Sequence, residues 1–154
     1  MNASPTSTML RALPTEYRER LVRLAREVSF PQGTHLFKEG GHADRFWIIR
    51  TGTIALDMHV PGCRAAVIET LGHDELVGWS WLFGPHAWCL GAETQSPVRA
   101  YEFDAEAVRA MCRADPVLGM AVTQWVGDVV ARRLRSARIR LLDVYAPYGS
   151  GDTR

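Results

Sequence analysis

The sequence predicts a mainly β domain with flanking helices, closed by one long C-terminal helix. Two observations carry this. From Ser29 to Phe103, short apolar runs are separated about every ten residues by Pro31-Gln-Gly33, Glu39-Gly-Gly41, Thr51-Gly52, Pro61-Gly62 and Leu71-Gly72. That is the rhythm of an all-β roll, sandwich or barrel. Beyond Asp115-Pro116 the period changes: Val122, Val126, Val130, Leu134, Ala137 and Leu141 step by four or three. Such a near-heptad stripe suits a long helix that pairs with another helix.

Residues 1–14 read as a flexible leader, small and polar at first, with Met9, Leu10 and Leu13 able to make one short apolar turn before Pro14. The domain then spans residues 15–145. Thr15 stands where a helix N-cap belongs, and Leu21, Val22, Leu24, Ala25 and Val28 follow at helical spacing. An amphipathic helix of about 14 residues is expected there. The β region covers residues 29–103. Phe46–Ile49 and Thr53–Leu56 flank the turn at Thr51-Gly52, and Ala65–Ile68 and Val98–Phe103 supply further strands. Ser80–Phe83 interrupts them with one apolar, helix-like turn. Asp104 caps a helix over Ala105–Ala114 that carries Val108, Met111 and Cys112 on one side. Asp115-Pro116, acid at the cap and proline at the first helical position, starts the long helix at residues 116–144. Residues 146–154, with Pro147 and Gly149–Gly151, read as a flexible tail.

A chain of 154 residues suits one core, since a domain takes about 100–200 residues. Apolar residues make up 47% and charged residues 23%, as in ordinary globular chains. A net charge of +1 offers no global field to attract nucleic acid or acidic lipid. No apolar run approaches the ~20 residues of a membrane helix, and no signal peptide is evident; the cytoplasm is the expected compartment. Cys63, Cys89 and Cys112 form no C-x-x-C, so they read as buried, inert thiols. His35, His42, His59, His73 and His86 lack metal-ligand spacing and read as surface residues. No cofactor, no metal and no catalytic residue is indicated: Ser80 has no nucleophile-elbow frame, and no phosphate-binding glycine loop exists. The basic side chains are lopsided, seventeen Arg against Lys38 alone, with Arg132, Arg133, Arg135, Arg138 and Arg140 clustered late in the chain. The cluster reads as a solvated face or a contact for a partner's acidic surface.

Several stretches together resemble the cyclic-nucleotide-binding domain family, and within it the sensor half of Crp/Fnr-type bacterial regulators. These are Pro31-Gln-Gly33 with Leu36-Phe37-x-Glu39-Gly40; Ala43-Asp44-x-Phe46-Trp47-x-Ile49-x-x-Gly52-x-Ile54; Leu71-Gly72-x-x-Glu75 leading into Val77-Gly78-Trp79-Ser80-Trp81-Leu82-Phe83; and Ala131-Arg-Arg-Leu134. The resemblance covers about residues 15–142. It implies a double-stranded β-helix (jelly-roll) β-roll with a long C-terminal helix, and it places the phosphate-binding cassette at Gly78–Phe83. In that family backbone N–H groups at a short helix start hold the cyclic phosphate, with an arginine in a charge-assisted pair and a glutamate on the ribose hydroxyl. Here Trp79 occupies the glutamate position, the segment that should carry arginine reads Pro85-His-Ala-Trp88-Cys89-Leu90, and no arginine stands between Arg64 and Arg99. Near the purine end only Ser136 could replace the family's hydroxyls.

The resemblance and the departures imply a sensor or adaptor with a degenerate cassette that does not bind cyclic AMP or cyclic GMP tightly. Gly78, Trp79, Ser80, Trp81, Trp88 and Cys89 are the candidate ligand-binding residues, a pocket for a flat or apolar small molecule, with Phe83 and Trp125 as further candidate walls. The alternative is that the rings fill a vestigial site and the chain is a ligand-free structural or interaction module within a larger complex. Either way a homodimer through the long helix, an unidentified protein partner and no sequence-specific nucleic-acid binding are expected. The chain ends about where the family's winged helix-turn-helix would begin.

Overall fold

The computed structural model describes residues 10–145. A 3-10 turn at Leu10–Ala12 leads into helix α1 (Thr15–Val22). Strands β1 (Arg26–Phe30), β2 (His35–Phe37), β3 (Arg45–Thr51), β4 (Ile54–Met58), β5 (Ala66–Leu71), β6 (Leu76–Val77), β7 (Gly91–Thr94) and β8 (Val98–Asp104) follow. Helices α2 (Ala105–Ala114) and α3 (Pro116–Tyr145) close the chain.

The strands form two four-stranded sheets, ordered β1–β8–β3–β6 and β2–β7–β4–β5. Every pairing within them is antiparallel. β3 is an interior strand whose Phe46, Trp47, Ile48 and Ile49 are all buried, which explains why it reads as a continuous apolar run rather than an alternation. Phe46 stacks between Trp81 at 4.1 Å and Phe103 at 4.6 Å, ring centre to ring centre. The β3–β4 turn requires Gly52: its φ is +92°, and a Cβ there would stand 2.3 Å from the Pro97 carbonyl oxygen. α2 contributes Ala105 and Val108 to the core, and α3 contributes Leu118, Val122, Trp125, Val126 and Val129. Both helix starts are capped as their sequences predict. The Asp104 carboxylate accepts from the Glu106 N–H at 3.2 Å, and that of Asp115 from the Leu118 N–H at 3.2 Å.

Several sequence expectations need correction. The first helix ends at Val22, not near Val28, because Arg26–Phe30 pairs with β8 over five residues. Val28 and Phe30 favour an extended chain, and tertiary pairing overrides the helical spacing. Thr15 does not cap α1; Pro14 holds the cap position, and the Thr15 hydroxyl accepts from Arg18 instead. The stretch from Leu10 to Leu13, expected within the leader, packs on the domain. Leu10 and Leu13 are buried, and the backbone N–H groups of Leu10 and Arg11 donate to the carbonyl and carboxylate of Asp74. Residues 1–9 and the tail at 146–154 lie outside the described residues. Ser80–Phe83 is an irregular turn rather than a turn of helix. Cys63 and Cys89 are exposed, Cys63 because it follows the Pro61-Gly62 turn between β4 and β5; only Cys112 is half-buried, and burial pushes its thiol pKa up.

Candidate functional site

The candidate site begins with a backbone requirement. After β6 the chain turns at Gly78 with φ +92°, a conformation that side chains disfavour. A Cβ at this position would stand 2.6 Å from Trp88 Cη2. Glycine is therefore demanded twice, by the turn and by the indole lying against it. Trp88 is delivered to this place by backbone pairing with the Gly40-Gly41 turn: the Gly40 N–H donates to the Trp88 carbonyl and the Trp88 N–H to the Gly41 carbonyl, each at 2.8 Å. Its ring stacks on Phe37 of β2 at 3.9 Å and 13°, and Phe37 continues the stack to Trp47.

The turn after Gly78 is pinned from behind. The Trp81 indole N–H donates to the Gly78 carbonyl at 3.1 Å, the Leu82 N–H to the Trp79 carbonyl at 3.2 Å, and Arg109 of α2 to the Trp81 carbonyl at 2.6 Å. With no helix at residues 80–83, no helix N-terminus focuses positive potential on an anion here.

Between this turn, the Trp88 segment and α3 lies a cavity of about 90 Å³, lined by Phe37, Leu56, Gly78, Trp79, Ser80, Trp88, Cys89, Leu90 and Arg133. Five of the six residues singled out from sequence meet there: Gly78, Trp79, Ser80, Trp88 and Cys89. Trp81 does not; it is fully buried on the far side of the turn, in the Phe46 stack. Trp125 is likewise a core residue of α3, and Ser136 does not reach the cavity. Phe83 stays outside, 40% exposed, its ring edge-on to Trp79.

Sequence reasoning missed the one cation that lines the cavity among the described residues. Arg133 was grouped with the solvated arginines of α3. Arg132, Arg135, Arg138 and Arg140 are exposed, but Arg133 is half-buried and donates to the Leu76 carbonyl. Burial lowers its pKa, while the charges of Glu69 and Glu75 oppose that shift; an arginine remains cationic at neutral pH regardless. Among the described residues no carboxylate lies within 4 Å of it. Glu75 is turned instead to the Gly72 N–H, at 2.6 Å. A signal for Arg133 existed in the spacing: Leu118, Val122, Val126 and Val129 are buried, and the next step of four along that face is Arg133.

Two four-stranded antiparallel sheets, the turn at Gly78 and the long helix α3 build a β-roll around this cavity. A family profile described as the cyclic nucleotide-binding domain matches residues 27–115, and the chain belongs to that family. It is 29% identical over 124 residues to the CRP-like cAMP-activated global transcriptional regulator of Mycobacterium tuberculosis, which covers 80% of this chain and 54% of that protein. The chain thus spans about half the length of the curated relative it matches. Its fold is similar to a cyclic nucleotide-binding domain from Methylobacillus flagellatus, with a TM-score of 0.78, 16% identity and coverage of 89% of this chain and 82% of that one. It is also similar in fold to the c-di-GMP-responsive global regulator CLP of Xanthomonas campestris, with a TM-score of 0.74, 15% identity and coverage of 83% and 63%. Among the described residues no helix is long and apolar enough to cross a membrane.

Proposed function

We propose that this chain is a sensor or adaptor domain of the cyclic-nucleotide-binding family whose cassette no longer takes a cyclic nucleotide, and which signals through protein contacts made by α3. The observation that carries this reading is Trp88, whose indole lies against Gly78 inside the cassette itself. The remaining cavity of about 90 Å³ is far below the ~300–1,000 Å³ of pockets for drug-sized ligands. The cassette offers no arginine for a phosphate and no glutamate for a ribose. Calorimetry with cyclic AMP and cyclic GMP tests it. No binding is expected at concentrations up to about a millimolar, near −4 kcal/mol; micromolar binding of either nucleotide overturns the reading.

The output is proposed to run through a parallel homodimer and an unidentified protein partner, in the cytoplasm, without catalysis and without nucleic acid. Support comes from the distal half of α3. Leu134 and Leu141 are 52% and 58% exposed and seven residues apart, the spacing of a helix-pairing seam. Light scattering should report a dimer, and Leu134→Asp with Leu141→Asp should give a folded monomer. A monomeric wild type at tens of micromolar, an affinity weaker than about −6 kcal/mol, removes this part of the proposal. The ligand-free module is a second reading, favoured by one observation: Phe37 already stacks on both Trp47 and Trp88, an arrangement that packing alone favours.

A further inference from the structure

The polar groups left at the cavity say more about its occupant than its walls do. Ser80 is 6% exposed and lines the cavity, yet among the described residues its hydroxyl has no hydrogen-bond partner. That oxygen is not sealed in the protein, since among the described residues no buried side-chain oxygen or nitrogen lacks a partner; it opens to the cavity. Arg133, reaching the same cavity from α3, spends its guanidinium on a single backbone carbonyl, that of Leu76, and has no carboxylate within ion-pair distance. A guanidinium carries five donors. Glu69 and Glu75 are the negative groups that act on it through space, and neither closes on it. A hydroxyl open to the cavity and a cation with donors to spare, from two separate elements, thus meet one cavity otherwise walled by Phe37, Leu56, Trp79 and Trp88.

Resting on the reading above that the site has left cyclic nucleotides behind, we propose that this cavity binds a small, flat organic monocarboxylate, its carboxylate held by Arg133 and Ser80 and its body lying against the Trp79 and Trp88 rings. A carboxylate matches the planar fork of a guanidinium and can accept from a hydroxyl with its second oxygen. A phosphate ester of a nucleoside is excluded by size: an apolar cavity of ~150 Å³ takes one benzene ring, and this one is about 90 Å³. The cavity itself encloses less than one such ring, so a one-ring ligand would lie partly at the mouth, which the exposed Cys89 lines. Binding would draw Arg133 toward the cavity and away from Leu76, so occupancy acts directly on α3, the helix proposed to carry the output.

The test uses 2-furoate and benzoate, with 2-furamide and benzamide as neutral isosteres, read by calorimetry and by the fluorescence of the protein's tryptophans. At least one acid should bind about tenfold or more tightly than its amide, the scale of a charge-assisted hydrogen bond. Arg133→Met should abolish that preference. Ser80→Ala should weaken the acid about three- to tenfold, as a lost neutral hydrogen bond does. The wild-type comparison of acid with amide needs no variant, so a variant that fails to fold leaves the test intact. Equal binding of acid and amide, binding of neither acid, or an acid preference that survives Arg133→Met overturns the proposal. Cyclic AMP is titrated alongside: micromolar binding of cyclic AMP overturns the underlying reading of the site, whereas silence from both cyclic AMP and the acids overturns this proposal alone.

Discussion

Glu102 and Arg133 are both charged side chains drawn into the protein, and their surroundings treat them in opposite ways. Glu102, on β8, is 9% exposed. One of its oxygens receives Arg26 at 2.5 Å and Arg45 at 3.4 Å, and the other the Trp47 indole N–H at 3.0 Å. Arg133 has one carbonyl and, among the described residues, no carboxylate within ion-pair distance. A buried charge is costly unless paired and hydrogen-bonded. Glu102 meets that condition and locks β1, β3 and β8 of one sheet together; Arg133 does not. The difference teaches that saturation, rather than burial, separates a charge that serves the fold from one available to a ligand.

The comparison can be broken in three places. Glu102→Ala removes the acceptor of a buried indole N–H and two arginines at once, and is expected to cost about 2–3 kcal/mol of stability, the price of hydrogen bonds to a charged group and an orphaned donor. Urea unfolding measures it, and a loss under about 0.5 kcal/mol would deny Glu102 its structural role. Arg133→Met is expected to shift the stability of the unliganded protein by no more than about 1 kcal/mol in either direction. The lost carbonyl hydrogen bond is offset by relief of a half-buried, unpaired charge. A loss like that of Glu102→Ala would show that Arg133 is a structural residue after all. Smallest of the three, Arg45→Ala should cost under about 0.5 kcal/mol, because Arg45 is largely exposed and Arg26 and Trp47 still satisfy the carboxylate. A larger cost would mean that the cluster around Glu102 acts as one cooperative network.

The two groups also differ in how legible they were. Trp47 and Glu102 are 55 residues apart, and no local pattern joins them; their register across β3 and β8 does. Arg133 was hidden for another reason. The stripe shares Val122 and Val126 with the face that α3 buries, but Val130 and Leu134 fall one residue beyond Val129 and Arg133, and one residue on a helix is about 100° of rotation. Along the distal half of α3, where Leu134 and Leu141 are exposed, an apolar period alone does not say whether the stripe faces its own core or another chain.

What the sequence determined by itself was whatever depends on neighbours in the chain. The ten-residue turn rhythm set the β-roll, the Asp104 and Asp115-Pro116 caps set the last two helices, and Gly78 with its aromatic successors marked the turn that borders the cavity. What tertiary structure alone decided were the choices in which local preference is nearly balanced or silent. Arg26–Phe30 became a strand because β8 offered it five residues of pairing. Trp81 went to the core because its ring stacks on Phe46, and Trp88 to the cavity because backbone pairing with the Gly40-Gly41 turn delivers it there. Arg133 reached the cavity because the packing of Leu118, Val122, Val126 and Val129 fixed the rotation of α3. Such contacts lie far apart in sequence, and their energies exist only once the sheets and helices have met.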